Sequence, residues 1–337
     1  MPDLSIRTLD ESEYPVWDSF VASSPQGTIF NTSLWASIIR EVFGIQHTIY
    51  GVLDGSQLVG GISLFHKKKA GLSVATQVPL TPYNGILFHP PEGEKSQKTS
   101  TERQEIMRVL LERLEKEFKF VDLVLHPSVY DMRPFVWRHW QTLPQYTHVN
   151  SLTDLTHTWT LLSSSLRRKI SRAEEKQIKV VEKDDPALLL KFQEMSYAKA
   201  HLKPVLSIPV FQQYCENVKR AGLLRIFSAV DLEANVHAER AVIVHKDQAY
   251  DWIAGTNFQI EDEHGNQLLV WEILKRLSGE GVQTFDFLGA NTLSITEFKR
   301  AFGGKFACYF EVRYFSSPLV RALDSLNQWR LRLKRKA

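Results

Sequence analysis

The sequence predicts an α+β chain built as two similar halves, each a mixed, mostly antiparallel sheet flanked by helices. Two observations carry this. Each half contains one long helical stripe, and each stripe is preceded by a cluster of β-prone runs and followed by one more. A third fixes the scale: 337 residues with 43% hydrophobic and 11% aromatic side chains are enough for two cores, which excludes a disordered or fibrous chain.

The elements follow in order. In the first half the runs His47 to Leu53, Gln57 to His66 and Ser73 to Leu80 read as a meander, with Asp54, Gly55 and Ser56 as the first turn. A helix over about 103–119 then places Met107, Leu110, Leu111, Leu114 and Phe118 on one face, and a strand over Phe120 to His126 follows it. The second half repeats the plan. Leu223 to Asp231, Val236 to His245 and Ala249 to Gly255 form the meander, with a turn at Lys246, Asp247 and Gln248. The helix over about 266–278 carries Val270, Ile273, Leu274 and Leu277, stops at Gly279 and Gly281, and leads to a strand over Val282 to Phe287. The join is expected near Asn150 to Leu161, giving domains over 1–155 and 156–317 and a basic helix over 318–337. At the opening of the second half, Ser163 to Lys176 reads as a helix with a capping serine and an apolar face of Leu166, Ile170 and Ala173.

Charge and cysteine content narrow the class. The net charge of +3 is too small to mark the whole chain as a polyanion binder. Residues 318–337 alone carry six basic side chains against Asp324, so the rest of the chain is slightly acidic. Cys215 and Cys308 are too few for a disulfide framework or a Cys-rich zinc site, which predicts a cytoplasmic protein. The polar, acidic start and the lack of an apolar run near 18 residues predict neither a secretory leader nor a membrane span. Phosphate-loop, dinucleotide, zinc-protease and nucleophile-elbow motifs do not occur, and the scattered histidines predict no structural metal.

Four segments carry a more specific signal: TIFNTSLWASIIREVFG (28–44), PLTPYNGILF (79–88), LRRKISRAEEKQIKV (166–180) and FDFLGANTLSITEFKRAFGGKF (285–306). In this order and spacing the chain resembles the Fem-type acyltransferases of the GNAT superfamily, which include the aminoacyltransferases of peptidoglycan bridge formation, across roughly residues 15–315. The resemblance implies two tandem GNAT-like domains. It also implies transfer of an acyl or aminoacyl group to an amine of a cell-envelope or nucleotide-linked precursor, with acyl-CoA or aminoacyl-tRNA as donor co-substrate and no bound cofactor. The helical hairpin that some tRNA-dependent members insert in the second domain has no counterpart here. The segment Asn257 to Gln267, where a GNAT enzyme cradles a diphosphate on backbone N–H groups, holds one glycine, Gly265, and three consecutive acids, Glu261, Asp262 and Glu263.

Aminolysis of a thioester or ester passes through an oxyanion and needs a route for the amine proton. In the Fem pattern Lys299, beside Phe298, lies near the reacting groups, and Lys299 is the candidate cation. A lysine on an exposed helix face is the alternative. Asp286 alternates with Phe285 and Phe287, so it either faces a site and orients the amine or pairs with a neighbouring base. Tyr83 and Asn84 are expected at a loop tip in contact with substrate, or as turn residues alone. Trp252 is a strand-end aromatic that binds substrate or fills the core. Arg167 and Arg168 have forks that suit the phosphate of a nucleotide-linked acceptor. Neither cysteine lies in an activating motif, so direct transfer is expected.

The tail places Leu319, Leu323, Leu326 and Arg330 at helical spacing, with Trp329 nearby. It suits an anionic membrane surface or tRNA phosphates, or it packs as a solvated terminal helix. The alternative to an enzyme is a non-catalytic GNAT-like module that recognises an envelope precursor or tRNA.

Overall fold

The computed structural model describes residues 4–90, 96–183, 185–199 and 206–336; the side chains of 96–98, 327, 328 and 330–336 lie outside that description. The chain divides into two compact units, one of residues 1–145 with 308–328, the other of 146–307 with 329–337.

In the first unit β1 (Leu4–Leu9) precedes the helices α1 (Tyr14–Ser23) and α2 (Ser33–Phe43). Thr32 caps α2 by accepting from Trp35 N–H, and Gly44 closes it in the left-handed region. The meander follows as β2 (Gln46–Asp54), β3 (Gln57–Lys69) and the short β4 (Leu72–Ala75). The expected run to Leu80 stops early because Pro79 and Pro82 cannot donate to a ladder. After β5 (Leu87–Phe88) come α3 (Ser96–Glu117), β6 (Phe120–Val124), α4 (Arg133–Trp137) and β7 (Gln141–Ser151). The predicted stripe of α3 is fully buried: Leu110, Leu111 and Leu114 are 0% exposed and pack with Val52, Ile62 and Leu64 of the sheet. Trp17 and Phe20 of α1 cover the other face with Ile49.

In the second unit α5 (Leu155–Leu161) and α6 (Ser164–Glu175) lead to β8 (Lys179–Glu182), α7 (Pro186–Lys199) and α8 (Ile208–Arg220). Then come β9 (Leu224–Val230), β10 (Val236–His245), β11 (Gln248–Thr256), α9 (Gly265–Gly279), β12 (Thr284–Asp286) and α10 (Leu293–Arg300). The chain closes with β13 (Lys305–Phe315) and α11 (Pro318–Lys336). Ser163 caps α6 as expected, and Leu166, Ile170 and Ala173 are buried against the α9 stripe of Val270, Ile273, Leu274 and Leu277. On the opposite face α7 packs on β10 and β11, and α8 on β9.

Both sheets take their last strand from the far half of the sequence. The first unit runs β1-β2-β3-β4-β6, and residues 311–315 of β13 then pair antiparallel with Phe120–Val124 of β6. The second unit runs β12-β11-β10-β9-β8, and residues 149–151 of β7 pair antiparallel with β12. Within each sheet one parallel pair, β4 with β6 or β11 with β12, interrupts an otherwise antiparallel order.

Candidate active site

The site is built where β11 and β12 part. The two strands pair only from Gln248 with Thr284 to Tyr250 with Asp286; β12 then ends while β11 continues to Thr256. Beyond Tyr250 no described strand pairs with β11 on that side. Asp286 stands at the vertex, 7% exposed, and its Oδ1 accepts from the Thr147 hydroxyl (2.6 Å) and from Leu288 N–H (2.8 Å).

The loop after β12 is held on both sides. Phe287 N–H donates to the His148 carbonyl (2.9 Å), Ala290 N–H to the Tyr146 carbonyl (2.6 Å), and Tyr146 N–H to the Asn291 side chain (2.9 Å). Leu288 and Gly289 are both left-handed, each at φ 49°. For Leu288 that is a costly conformation, about 1 kcal/mol or more. The turn aims three carbonyls at one point, and Lys299 of α10 fills it. Its Nζ donates to the carbonyls of Phe287 (2.6 Å), Leu288 and Gly289 (2.8 Å).

Lys299 is therefore neither on an open surface nor an unengaged cation. An ammonium has three N–H bonds, and all three are taken by backbone. Burial pulls its pKa down to about 8, with Arg240 acting in the same direction and Asp251 and Asp286 opposing. Behind it lies a buried ion pair that sequence reasoning missed. Arg240 of β10 donates to Asp251 of β11 at 2.5 Å, with side chains only 4% and 3% exposed. The guanidinium also donates to Asn266 (3.1 Å) and sits 5.2 Å from the centre of the Phe298 ring. Phe298 in turn packs on Phe302 with ring centres 5.3 Å apart, so it joins cluster and core. The signal for Arg240 was weak: one arginine inside an apolar strand, whose partner lies 11 residues on across the β10–β11 turn.

His148 was missed as well. It is 3% exposed, and its Nδ1 faces the Gly304 carbonyl at 3.4 Å; a carbonyl only accepts, so Nδ1 carries the proton. Nε2 is then a buried lone pair with no hydrogen-bond partner among the described residues. Burial lowers the pKa of this imidazole, with the Gly304 contact opposing and the Lys299 and Arg300 charges adding to the fall.

The other residues singled out from the sequence fall elsewhere. Arg167 turns Nη1 onto backbone: it donates to the carbonyls of Trp159 (3.2 Å), Thr160 (3.2 Å) and Leu162 (2.7 Å), closing the end of α5. Arg168 is exposed one position further on. Trp252 is 6% exposed and meets Tyr214 of α8 edge-on at 5.1 Å, a core position. Tyr83 and Asn84, in the first unit, are not at an exposed loop tip: they are 2% and 1% exposed. Asn84 stands in for a strand residue, its N–H on the Val124 carbonyl (3.1 Å) and its Oδ1 accepting from Val124 N–H (2.7 Å). Tyr83 packs edge-on against His126 and Tyr309. The prolines that suggested a loop tip instead carry a buried crossing.

The helix that would face a diphosphate begins at Gly265, where a side chain is excluded because a Cβ would lie 2.6 Å from that of His237. The acidic run before it is partly neutralised: Glu263 pairs with Lys176 at 3.1 Å, and Asp262 accepts from His264 N–H at 3.0 Å. Burial also disarms Cys215, whose thiol is pushed up to about 12.

Glu239, next to Arg240 but on the other face of β10, is fully buried. Its Oε1 accepts from Ser228 (2.6 Å) while Oε2 has no partner among the described residues, and burial raises its pKa to about 7. A carboxyl held above its ordinary value favours the folded state below the unfolded pKa and loses that contribution as pH rises through about 7. Glu239→Gln should raise stability in urea by about 1–2 kcal/mol near pH 8, discounted for the amide N–H left unpaired, and change it little near pH 5. An equal effect at both pH values would show that the group does not titrate in this range.

Residues 162–300 match the family described as an acetyltransferase (GNAT) domain. The fold is similar to the crystal structure of FemX at a TM-score of 0.69 and 13% identity, covering 94% of this chain and 99% of that one. It is similar to a tandem GNAT protein from the clavulanic acid biosynthesis pathway at TM-score 0.53 and 11% identity, covering 94% and 99%. L-PGS from Bacillus licheniformis matches at TM-score 0.53 and 11% identity, covering 94% and 96%. No curated protein matches the sequence significantly. The α+β fold is that of tandem GNAT proteins.

Proposed function

We propose, for an acyltransferase whose residues 162–300 are a GNAT acetyltransferase domain, that an acyl or aminoacyl group is transferred to an amine at the parting of β11 and β12. The observation that carries this is the three-residue pairing of these strands, which leaves the edge of β11 beyond Tyr250 without a strand partner among the described residues. Backbone N–H groups on such an edge are fixed donors for a carbonyl oxygen that gains charge in the transition state. Asp286, at the vertex, takes the proton of the attacking amine. Lys299 acts through the loop: it holds residues 287–289 and adds positive potential without giving up an N–H bond. No enzyme thiol takes part: the amine nitrogen bonds to the donor carbonyl carbon, the donor's C–S bond (acyl-CoA) or C–O bond (aminoacyl-tRNA) breaks, and the departing sulfur or oxygen takes up the proton that Asp286 received.

The acceptor is an amine of a cell-envelope or nucleotide-linked precursor, and the donor is an acyl-CoA or an aminoacyl-tRNA. The resemblance of the four sequence segments to Fem-type enzymes supports the first class of acceptor, and the pairing of Glu263 with Lys176 removes part of the repulsion an acyl-CoA diphosphate would meet at α9. Thermal shift with acetyl-CoA, longer acyl-CoAs and charged tRNA at matched low salt, followed by transfer of a labelled acyl group to an amine, tests the reading. A donor at 100 times its dissociation constant adds about 2.7 kcal/mol of stability. Binding of precursor without transfer from any donor would replace the enzyme by a recognition module.

A further inference from the structure

The last helix, α11, has an outward apolar stripe. Leu319, Leu323 and Leu326 are 69%, 51% and 50% exposed, and Trp329, one turn on, is 58% exposed. At i, i+4, i+7 and i+10 they line one side of the helix. The inward side is held differently. Asp324, 16% exposed, faces Arg313 of β13 at 3.7 Å, in a cluster with Asp122 and Glu311. Arg321 lies 5.9 Å from the Phe315 ring centre.

Asp324 is the only acid in residues 318–337, and it is turned inward. The same stretch carries Arg321, Arg330, Arg332, Lys334, Arg335 and Lys336; the last five are known here from the sequence, since their side chains lie outside the described residues. An apolar stripe on a strongly basic helix matches one kind of surface, in which hydrocarbon lies beneath a layer of negative charge.

We propose that α11 is a membrane-surface helix: it lays Leu319, Leu323, Leu326 and Trp329 into the interface of an anionic bilayer while its basic residues meet the lipid headgroups. No helix among the described residues is long and apolar enough to cross a membrane, so the contact is peripheral. Nucleic acid would use the cations but leave the leucines in water. The Arg313–Asp324 contact orients the stripe outward by fixing the opposite side of the helix.

Co-sedimentation of the intact protein with phosphatidylcholine vesicles, with and without phosphatidylglycerol, tests this. Partitioning should rise at least about tenfold with the anionic lipid and fall steeply with added salt. The variant Leu319→Gln, Leu323→Gln, Leu326→Gln keeps helix propensity and touches exposed positions only, so its melting temperature should match the parent. Its vesicle affinity should drop about a hundredfold. Three results would each overturn the proposal: no preference for anionic vesicles, vesicle binding indifferent to the three leucines, or a stripe whose loss abolishes self-association while vesicles are not bound. Binding of tRNA that survives the leucine replacements, with no vesicle binding, would reassign the helix to nucleic acid.

Discussion

Lys299→Met is expected to lose acyl transfer and stability together. The methionine fills the space but offers no donor, so three carbonyls of the 287–289 turn are left facing each other in a buried site. Unmet buried acceptors cost about 1–3 kcal/mol each, partly offset here because an ammonium no longer has to be desolvated. A net loss of about 3–4 kcal/mol follows, or roughly 5–10 °C in melting temperature. Calorimetry beside a transfer assay reads both quantities. A variant inactive at unchanged melting temperature would instead assign Lys299 a direct role at the oxyanion and leave the turn held by Asp286 and β7 alone.

The second large effect is expected at Arg240 and Asp251. Removing the guanidinium strands a carboxylate that is 3% exposed on its side chain and whose Oδ1 already lacks a partner among the described residues. Breaking such a pair from one side costs about 3–5 kcal/mol, whereas replacing both members by apolar groups of similar volume is often neutral. Arg240→Met alone should therefore unfold at much lower urea than Arg240→Met with Asp251→Leu. If the double variant is no more stable than the single one, the pair is not what holds β10 to β11 at this point. Restored stability without restored transfer would show that the charges serve the reaction rather than the fold.

Much of the scaffold is legible in the sequence because periodicity reports burial. The stripes of α3 and α9 could be read from spacing, since each buries one face against a sheet in its own half, and the limits of β10 from an almost continuously buried run bounded by turn residues. β1 and β13 were not legible. β1 is only six residues long with one of them buried, and β13 mixes exposed, partly exposed and buried positions without alternation. For the candidate site, the FDFLG segment and the Phe-Lys pair lie on the loop and helix where the structure brings Asp286, Phe298 and Lys299 together. Their roles were not legible, because a lysine that caps carbonyls and one that meets substrate look the same in one dimension. Arg240, Asp251 and His148 depend on pairing across strands, which spacing along the chain does not report.

The origin of the closing strands also governs how the protein can be made. Ribosomal synthesis delivers residues 1–145 long before residue 311, yet the first unit takes residues 311–315 as the neighbour of β6. Until then the open side of β6 is an unfilled template for any passing strand. The first sheet thus gains its last member only after residue 315 has been made, and a fragment ended at the mid-chain join carries a permanently open edge. Dissecting this protein into halves for expression requires joining residues 308–328 to the first segment rather than cutting once.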